Sequence, residues 1–204
     1  MKNILCFGDS NTWGYNPYTK DRFSSEIRWT GKLQDKLKND ANIIEQGLCG
    51  RTTIYEDISR PGRKGIDSLQ KIFQQYSNID FVILMLGTND CKKYYNNSAR
   101  EIASGVEECL NIILEQVNPE NVLLISPITL GKDVWKKEYD PDFNEESVNI
   151  SKELKNEYKK IALKKNVNFL AASEFADPSV ADQEHLDEIG HNNLTEAIYQ
   201  KLAG

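Results

Sequence analysis

Six consecutive residues without a polar side chain, Phe81-Val82-Ile83-Leu84-Met85-Leu86, stop abruptly at Gly87-Thr88-Asn89-Asp90. The run has no polar alternation, so it reads as a strand covered on both faces, the kind found in parallel sheets flanked by helices. The pattern recurs. Ile4-Leu5-Cys6-Phe7 ends at Gly8-Asp9-Ser10, and Ile43-Ile44 leads into Gln46-Gly47-Leu48-Cys49-Gly50. Val122-Leu123-Leu124-Ile125 ends at Ser126-Pro127, and Val167 to Leu170 makes a fifth strand. Helical spacing fills the intervals. Trp29, Leu33 and Leu37 share one face over 29–37, and Ile102, Val106, Cys109, Leu110 and Ile113 share one over 99–116. A short helix is expected over 66–76, a long one over 145–165, and a last one from about Gly190. Strands alternating with helices predict a parallel sheet with right-handed crossovers. The expected fold is therefore α/β, a three-layer α/β/α sandwich on a five-stranded parallel sheet. A chain of 204 residues without internal repeat or linker suits a single domain, 1–204.

Composition narrows the partners. A net charge of −6 with both signs interspersed attracts no phosphate backbone, so nucleic acid is not expected. No apolar stretch approaches the roughly 20 residues that span a bilayer. The start, MKNILCFGDS, lacks the apolar core and cleavage site of a signal peptide, which points to a cytoplasmic protein. The four cysteines, Cys6, Cys49, Cys91 and Cys109, show no CxxC spacing and no neighbouring histidine. Neither a zinc site nor any other metal is expected, and all four are read as free thiols. Cys6 and Cys109 sit in apolar patterns, whereas Cys49 and Cys91 lie in loops.

In a parallel sheet the loops after the strands meet at one edge, where ligands bind. Ser10 follows the first strand, Gly50 the second, Asn89 the third, and Asp182-Gln183-Glu184-His185 the fifth. Each supplies a group that acyl transfer requires. A serine hydroxyl is a weak nucleophile until a base takes its proton. The chain has two histidines, His185 and His191. Asp182 stands three residues before His185, so one tight turn lets its carboxylate accept from Nδ1–H and leaves Nε2 for Ser10. His191, with Asp187 four residues earlier, is the rival, and spacing favours His185. Gly50 allows a backbone N–H to approach an oxyanion without a Cβ in the way. Asn89 offers side-chain N–H donors, and the Ser10 N–H completes a set of three. Singly, each residue is also ordinary turn or cap chemistry.

The blocks Phe7-Gly8-Asp9-Ser10-Asn11-Thr12, Gly47-Leu48-Cys49-Gly50-Arg51-Thr52, Gly87-Thr88-Asn89-Asp90 and Asp182-Gln183-Glu184-His185 resemble, in order, the four motif blocks of the SGNH hydrolases, or GDSL esterase/lipase family. Gly8 to Tyr15, Arg28-Trp29 and Gly50-Arg51-Thr52-Thr53 look closest to its arylesterase and acyltransferase-like branch. The resemblance implies a flavodoxin-like sandwich (the SGNH hydrolase fold) and a serine esterase without cofactor, often a homo-oligomer. It implies short acyl esters as small-molecule substrates, with acyl transfer to alcohols in some members. By position it assigns Ser10, Asp182 and His185 as a catalytic triad, and Ser10, Gly50 and Asn89 as an oxyanion hole. Two departures stand out. Gln183-Glu184 is bulkier and more acidic than the usual small pair, and Cys49 takes the place of a small polar residue.

The loops 11–28 and 127–144 are long and aromatic, which marks them as functional or as subunit contacts. Asn11, Trp13, Tyr94 and Trp135 are candidates for the substrate pocket, together with Tyr15 and Tyr95. Arg51 is read as a structural residue. The G-x-S-x-G elbow of α/β-hydrolases is absent, since Ser10 precedes Asn11-Thr12. Alternatives to a short-chain esterase are a carbohydrate O-acetyl deacetylase of acetylxylan-esterase type and a thioesterase or lysophospholipase. A flavodoxin-like binding protein is the non-enzymatic one, against which stands the lack of a glycine-rich phosphate cradle.

Overall fold

The computed structural model describes residues 1–76 and 78–203. Five strands, β1 (Lys2–Gly8), β2 (Ala41–Gly47), β3 (Phe81–Met85), β4 (Val122–Ser126) and β5 (Asn168–Ala171), form one sheet in the order β2-β1-β3-β4-β5. Every neighbouring pair is parallel. Among the described residues six α-helices accompany them: α1 (Ser10–Trp13), α2 (Trp29–Lys36), α3 (Gly65–Gln75), α4 (Ala99–Leu114), α5 (Glu145–Lys165) and α6 (Glu188–Ala203).

The all-apolar strands follow from burial on both sides. Successive strand residues point to opposite faces. Leu5, Phe7, Val82, Leu84 and Leu124 pack with Leu69, Leu110 and Tyr158 of α3, α4 and α5. Ile4, Cys6, Ile83, Met85 and Leu123 pack with Trp29, Leu33, Leu194 and Ile198 of α2 and α6. No strand position facing either core can be polar without a partner, which is why β3 contains none.

Local chemistry sets the helix ends. Ser98 and Glu101 form a reciprocal capping box at the start of α4. Asn144 and Ser147 do the same for α5, which carries Glu145 and Glu146 in its first turn and Lys164 and Lys165 in its last, complementing the helix dipole. Two elements differ from expectation. β2 extends well beyond Ile43-Ile44, because it is an edge strand whose backbone pairs with Cys6 and Phe7 at the polar residues Glu45 and Gln46. The Glu45 carboxylate is satisfied by Arg22 and Arg28, at 2.7 and 2.9 Å. The stretch after β1 opens with α1, capped by the Asp9 side chain and closed by Gly14 in the left-handed region.

β2 and β3 lie on opposite sides of β1. The chain thus changes direction across the sheet beside β1, and the crevice beyond the carboxyl ends of β1 and β3 is the expected ligand position. Among the described residues, no helix is long and apolar enough to cross a membrane.

Candidate active site

The site begins where β1 ends. A Cβ on Gly8 would lie 2.1 Å from Thr12 Oγ1 and 2.3 Å from the Met85 carbonyl oxygen, so only glycine lets the strand turn this tightly. Asp9 then accepts the Asn11 N–H at 3.0 Å and starts α1, which sets Ser10 at the first helical position.

Ser10 Oγ lies 2.8 Å from His185 Nε2, and His185 Nδ1 lies 2.6 Å from Asp182 Oδ2. With the carboxylate beside Nδ1, the neutral ring carries its proton there and presents a lone pair to the serine. Asp182 Oδ1 also accepts the N–H groups of Glu184 and His185, at 3.1 and 3.0 Å. The three-residue spacing closes as the tight turn it predicted. Asn11 fastens that turn to α1: its Oδ1 accepts the Leu186 N–H at 2.9 Å and its Nδ2 donates to the Glu184 carbonyl at 3.4 Å. The Tyr15 ring lies 4.4 Å from the His185 ring, centre to centre.

The electrostatics suit a base. Burial works against the charged imidazolium, but the Glu184 and Asp182 carboxylates outweigh it and raise the His185 pKa above the ordinary value. Burial likewise opposes a charged Asp182, yet its hydrogen bond and attraction to His185 hold its pKa below the usual carboxylate range. Burial raises Glu184. His191 is fully buried, its Nδ1 accepting the Trp29 N–H at 3.3 Å, and burial pulls its pKa down to about 3. It is a neutral packing residue under α2, remote in role from Ser10.

Two further loops complete the edge. Gly50 has φ +80°, in the left-handed region, and a Cβ there would lie 2.8 Å from the Arg60 guanidinium. Asn89 opens a short 3-10 turn, Asn89–Cys91, and donates one Nδ2 proton to the Arg51 carbonyl at 3.1 Å, leaving the second free to point outward. Arg51 itself is buried. Its Nη1 donates to the carbonyls of Gly8, at 2.8 Å, and Gln46, and its guanidinium sits 4.1 Å over the Phe7 ring. It ties the ends of β1 and β2 together, and burial lowers its pKa to about 10. Asp90 is buried behind it, accepting the Thr53 N–H at 2.9 Å and hydroxyl at 2.5 Å, and burial raises its pKa to about 7.

A cavity of about 320 Å³ opens over Ser10, Gly50, Asn89 and His185. Its walls include Tyr15, Lys20, Arg60, Lys92 and Glu184. Of the candidate pocket residues, Tyr15 lines this cavity, whereas Asn11, Trp13, Tyr94, Tyr95 and Trp135 do not. Asn11 is buried beneath the site as the clamp just described. Trp13 stacks on Tyr15 at 6.5 Å and under the Arg22 guanidinium at 5.6 Å. Tyr94 is half-exposed against Tyr95, and Trp135 donates Nε1 to the Lys132 carbonyl at 3.1 Å. Each aromatic is an anchor of its own loop. The charged walls carried no sequence pattern, being single residues on separate loops; Glu184 alone stood out, as a departure from the small pair. Cys49 faces the cavity as a free thiol whose pKa burial pushes to about 11. Among the described residues, no group of three or more His, Cys, Asp or Glu is placed to hold a metal ion.

A five-stranded parallel sheet with a hydrogen-bonded serine, histidine and aspartate at its carboxyl edge defines a class, the hydrolases of SGNH type. The chain belongs to the GDSL-like lipase/acylhydrolase family, whose profile matches residues 6–201, and is a carboxylic ester hydrolase. The carbohydrate acetylesterase Est24 of Sinorhizobium meliloti is similar at 32% identity and a TM-score of 0.90, over 100% of this chain and 99% of that one. The aryl esterase of M. smegmatis is similar at 31% identity and a TM-score of 0.90, also over 100% and 99%. None of the curated proteins compared matches the chain.

Proposed function

We propose that the protein is a serine esterase that hydrolyses short-chain, acetyl-like esters through an acyl-enzyme on Ser10. The observation that carries this reading is the continuous hydrogen-bond chain from Ser10 Oγ through His185 to Asp182, at 2.8 and 2.6 Å. His185 Nε2 takes the serine proton as Oγ bonds to the ester carbon. Asp182 keeps the ring in the right tautomer and stabilises the imidazolium that forms. The Ser10 and Gly50 N–H groups and the free Asn89 amide proton receive the oxyanion. Each such donor is worth about 100- to 1000-fold in rate. The imidazolium then protonates the leaving alcohol, and water, or an acceptor alcohol, repeats the steps in reverse. This chemistry uses no metal or cofactor.

A cavity of about 320 Å³ has room for a small acyl group and part of a leaving alcohol. Its charged walls, Lys20, Arg60, Lys92 and Glu184, support a second reading, removal of O-acetyl groups from a carbohydrate. Similarity to a carbohydrate acetylesterase supports that reading, and similarity to an aryl esterase supports the first. The proposal includes one domain over 1–204 that acts in the cytoplasm, as a homo-oligomer contacting through the aromatic loops 11–28 and 127–144.

The test is hydrolysis of an acyl-length series of aryl esters, with acetylated xylose alongside. Ser10→Ala and His185→Ala are expected to lose about 1000-fold or more, and His191→Ala to retain turnover unless it fails to fold. A peak at acetyl on aryl esters favours the first reading, and preference for the acetylated sugar the second. Activity surviving in both Ser10→Ala and His185→Ala overturns the proposal.

A further inference from the structure

Glu184 is the unexplained group of the site. It is 7% exposed, it walls the cavity over Ser10, and its Oε1 lies 3.9 Å from His185 Nε2. That is too long for a hydrogen bond and right for one bridging oxygen between them. The described hydrogen bonds give its carboxylate no donor; Lys92 Nζ, on the same cavity wall, is paired with Asp140 and Asp142, at 3.4 and 3.2 Å. Burial raises its pKa, while His185 and Lys92 favour the charged form.

The backbone is bent to hold it there. Gln183, immediately before, has φ +64°, in the left-handed region that residues other than glycine adopt uncommonly. The constraint is the loop after β4: the Gly131 N–H donates to the Gln183 carbonyl at 2.7 Å, and the Asp133 N–H donates to Gln183 Oε1 at 3.3 Å. A Cβ on Gly131 would meet that Oε1 at 2.3 Å, so the loop fits against Gln183 only with glycine there. On the far side Asn11 holds the Glu184 carbonyl. A carboxylate that opens onto the cavity without a protein donor, aimed by a constrained turn at the Nε2 edge of the imidazole, is placed to receive a partner that arrives during the reaction.

We infer that Glu184 is a positioning residue for the attacking nucleophile of deacylation, and that it selects water, or an acceptor with a second hydroxyl, over a simple alcohol. The inference rests on the acyl-enzyme reading above. In the acyl-enzyme, Ser10 Oγ no longer donates to His185. A water between Nε2 and Oε1 donates one proton to each, which turns a lone pair toward the acyl carbon. The water oxygen bonds to that carbon, its first proton passes to Nε2, and its second stays on oxygen, bonded to Glu184. The intermediate then expels Ser10 Oγ, to which His185 returns the proton, and the carboxylic acid leaves. A monohydric alcohol has one proton, which His185 needs, so Glu184 is left facing a hydrocarbon. A diol satisfies both acceptors.

The test uses the whole chain with 4-nitrophenyl acetate in mixtures of water with 1-propanol or ethylene glycol. Nitrophenol release reports acylation, and the ratio of acetyl ester to acetate reports the choice of acceptor. In Glu184→Leu the propyl acetate to acetate ratio is expected to rise about tenfold, the effect of one lost charged hydrogen bond, and the preference for ethylene glycol over 1-propanol to vanish. Glu184→Gln, which keeps an acceptor oxygen, is expected to show a smaller rise and serves if the leucine variant does not fold. A purely structural role would change nitrophenol release and leave these ratios alone. Ratios within twofold of wild type, with turnover still dependent on Ser10, overturn the role of Glu184. Nitrophenol release that persists in Ser10→Ala overturns the acyl-enzyme reading and this inference with it.

Discussion

His185 acts as a base only when its Nε2 is unprotonated, so the charges around it set the lower pH limit of activity. Its folded pKa is raised, Glu184 and Asp182 being the carboxylates that outweigh burial. Activity is therefore lost as pH falls through a value above the ordinary histidine pKa. Replacing Glu184 by Gln removes the largest raising charge, so the acid limb of kcat/KM is expected to move to lower pH, as a pH–rate profile of the two proteins will show. Asp90 makes the opposite kind of statement, about stability. Its folded pKa is raised to about 7, above an unfolded value near 3.9, so between these values the folded state binds the extra proton. Stability thus falls as pH rises across that window, by about 4 kcal/mol at most. Asp90→Asn keeps an acceptor for Thr53 and is expected to flatten this slope, measured by urea unfolding at several pH values. Of these residues, Ser10, His185, Asp182, Gly50 and Asn89 were legible as candidates because each sits at a strand end in a residue type with few other uses there. The clamp by Asn11 was not, because an asparagine's partners across 173 residues of chain leave no local trace.

At the scale of elements, end chemistry and core contact divide the work. The capping box of α4 contributes through two hydrogen bonds remote from the cavity. Ser98→Ala is expected to cost about 1 kcal/mol, a Tm drop of about 2–4 °C, and to leave turnover unchanged in a thermal melt and ester assay done together. Leu124, fully buried in β4, packs in one of the two cores, so Leu124→Ala is expected to cost about 2–5 kcal/mol by the same melt. The element pattern follows the strength of its signal. α5 spans the residues that its spacing and caps predict, Glu145–Lys165, because polar caps and dipole-matched charges mark both ends. β2 outran its apolar pair because an edge strand tolerates Glu45 and Gln46, and α1 was missed because four residues are too few to show a period.

Over the whole molecule, one sheet separates two cores, and every strand carries side chains into both. Neither layer of helices can leave without exposing the apolar side chains of β1, β3 and β4. A single cooperative transition is therefore expected, with calorimetric and van't Hoff enthalpies in agreement, as one domain over 1–204 requires. The proposed association through loops 11–28 and 127–144 is checked by light scattering: a monomer at assay concentrations removes it.

The sequence by itself determined the class of fold and the type of site. Apolar runs without alternation can be buried only between two layers, and parallel strands gather their following loops at one edge. Those are consequences of period and direction, which a chain states locally. Only the tertiary structure decided which side chains wall the cavity. It set Lys20, Arg60, Lys92 and Glu184 there beside Tyr15, left Trp13, Tyr94 and Trp135 outside, and turned Glu184 toward His185 through Gln183, held by Gly131. Such placements depend on distances between loops far apart in the chain, and no run of neighbouring residues encodes them.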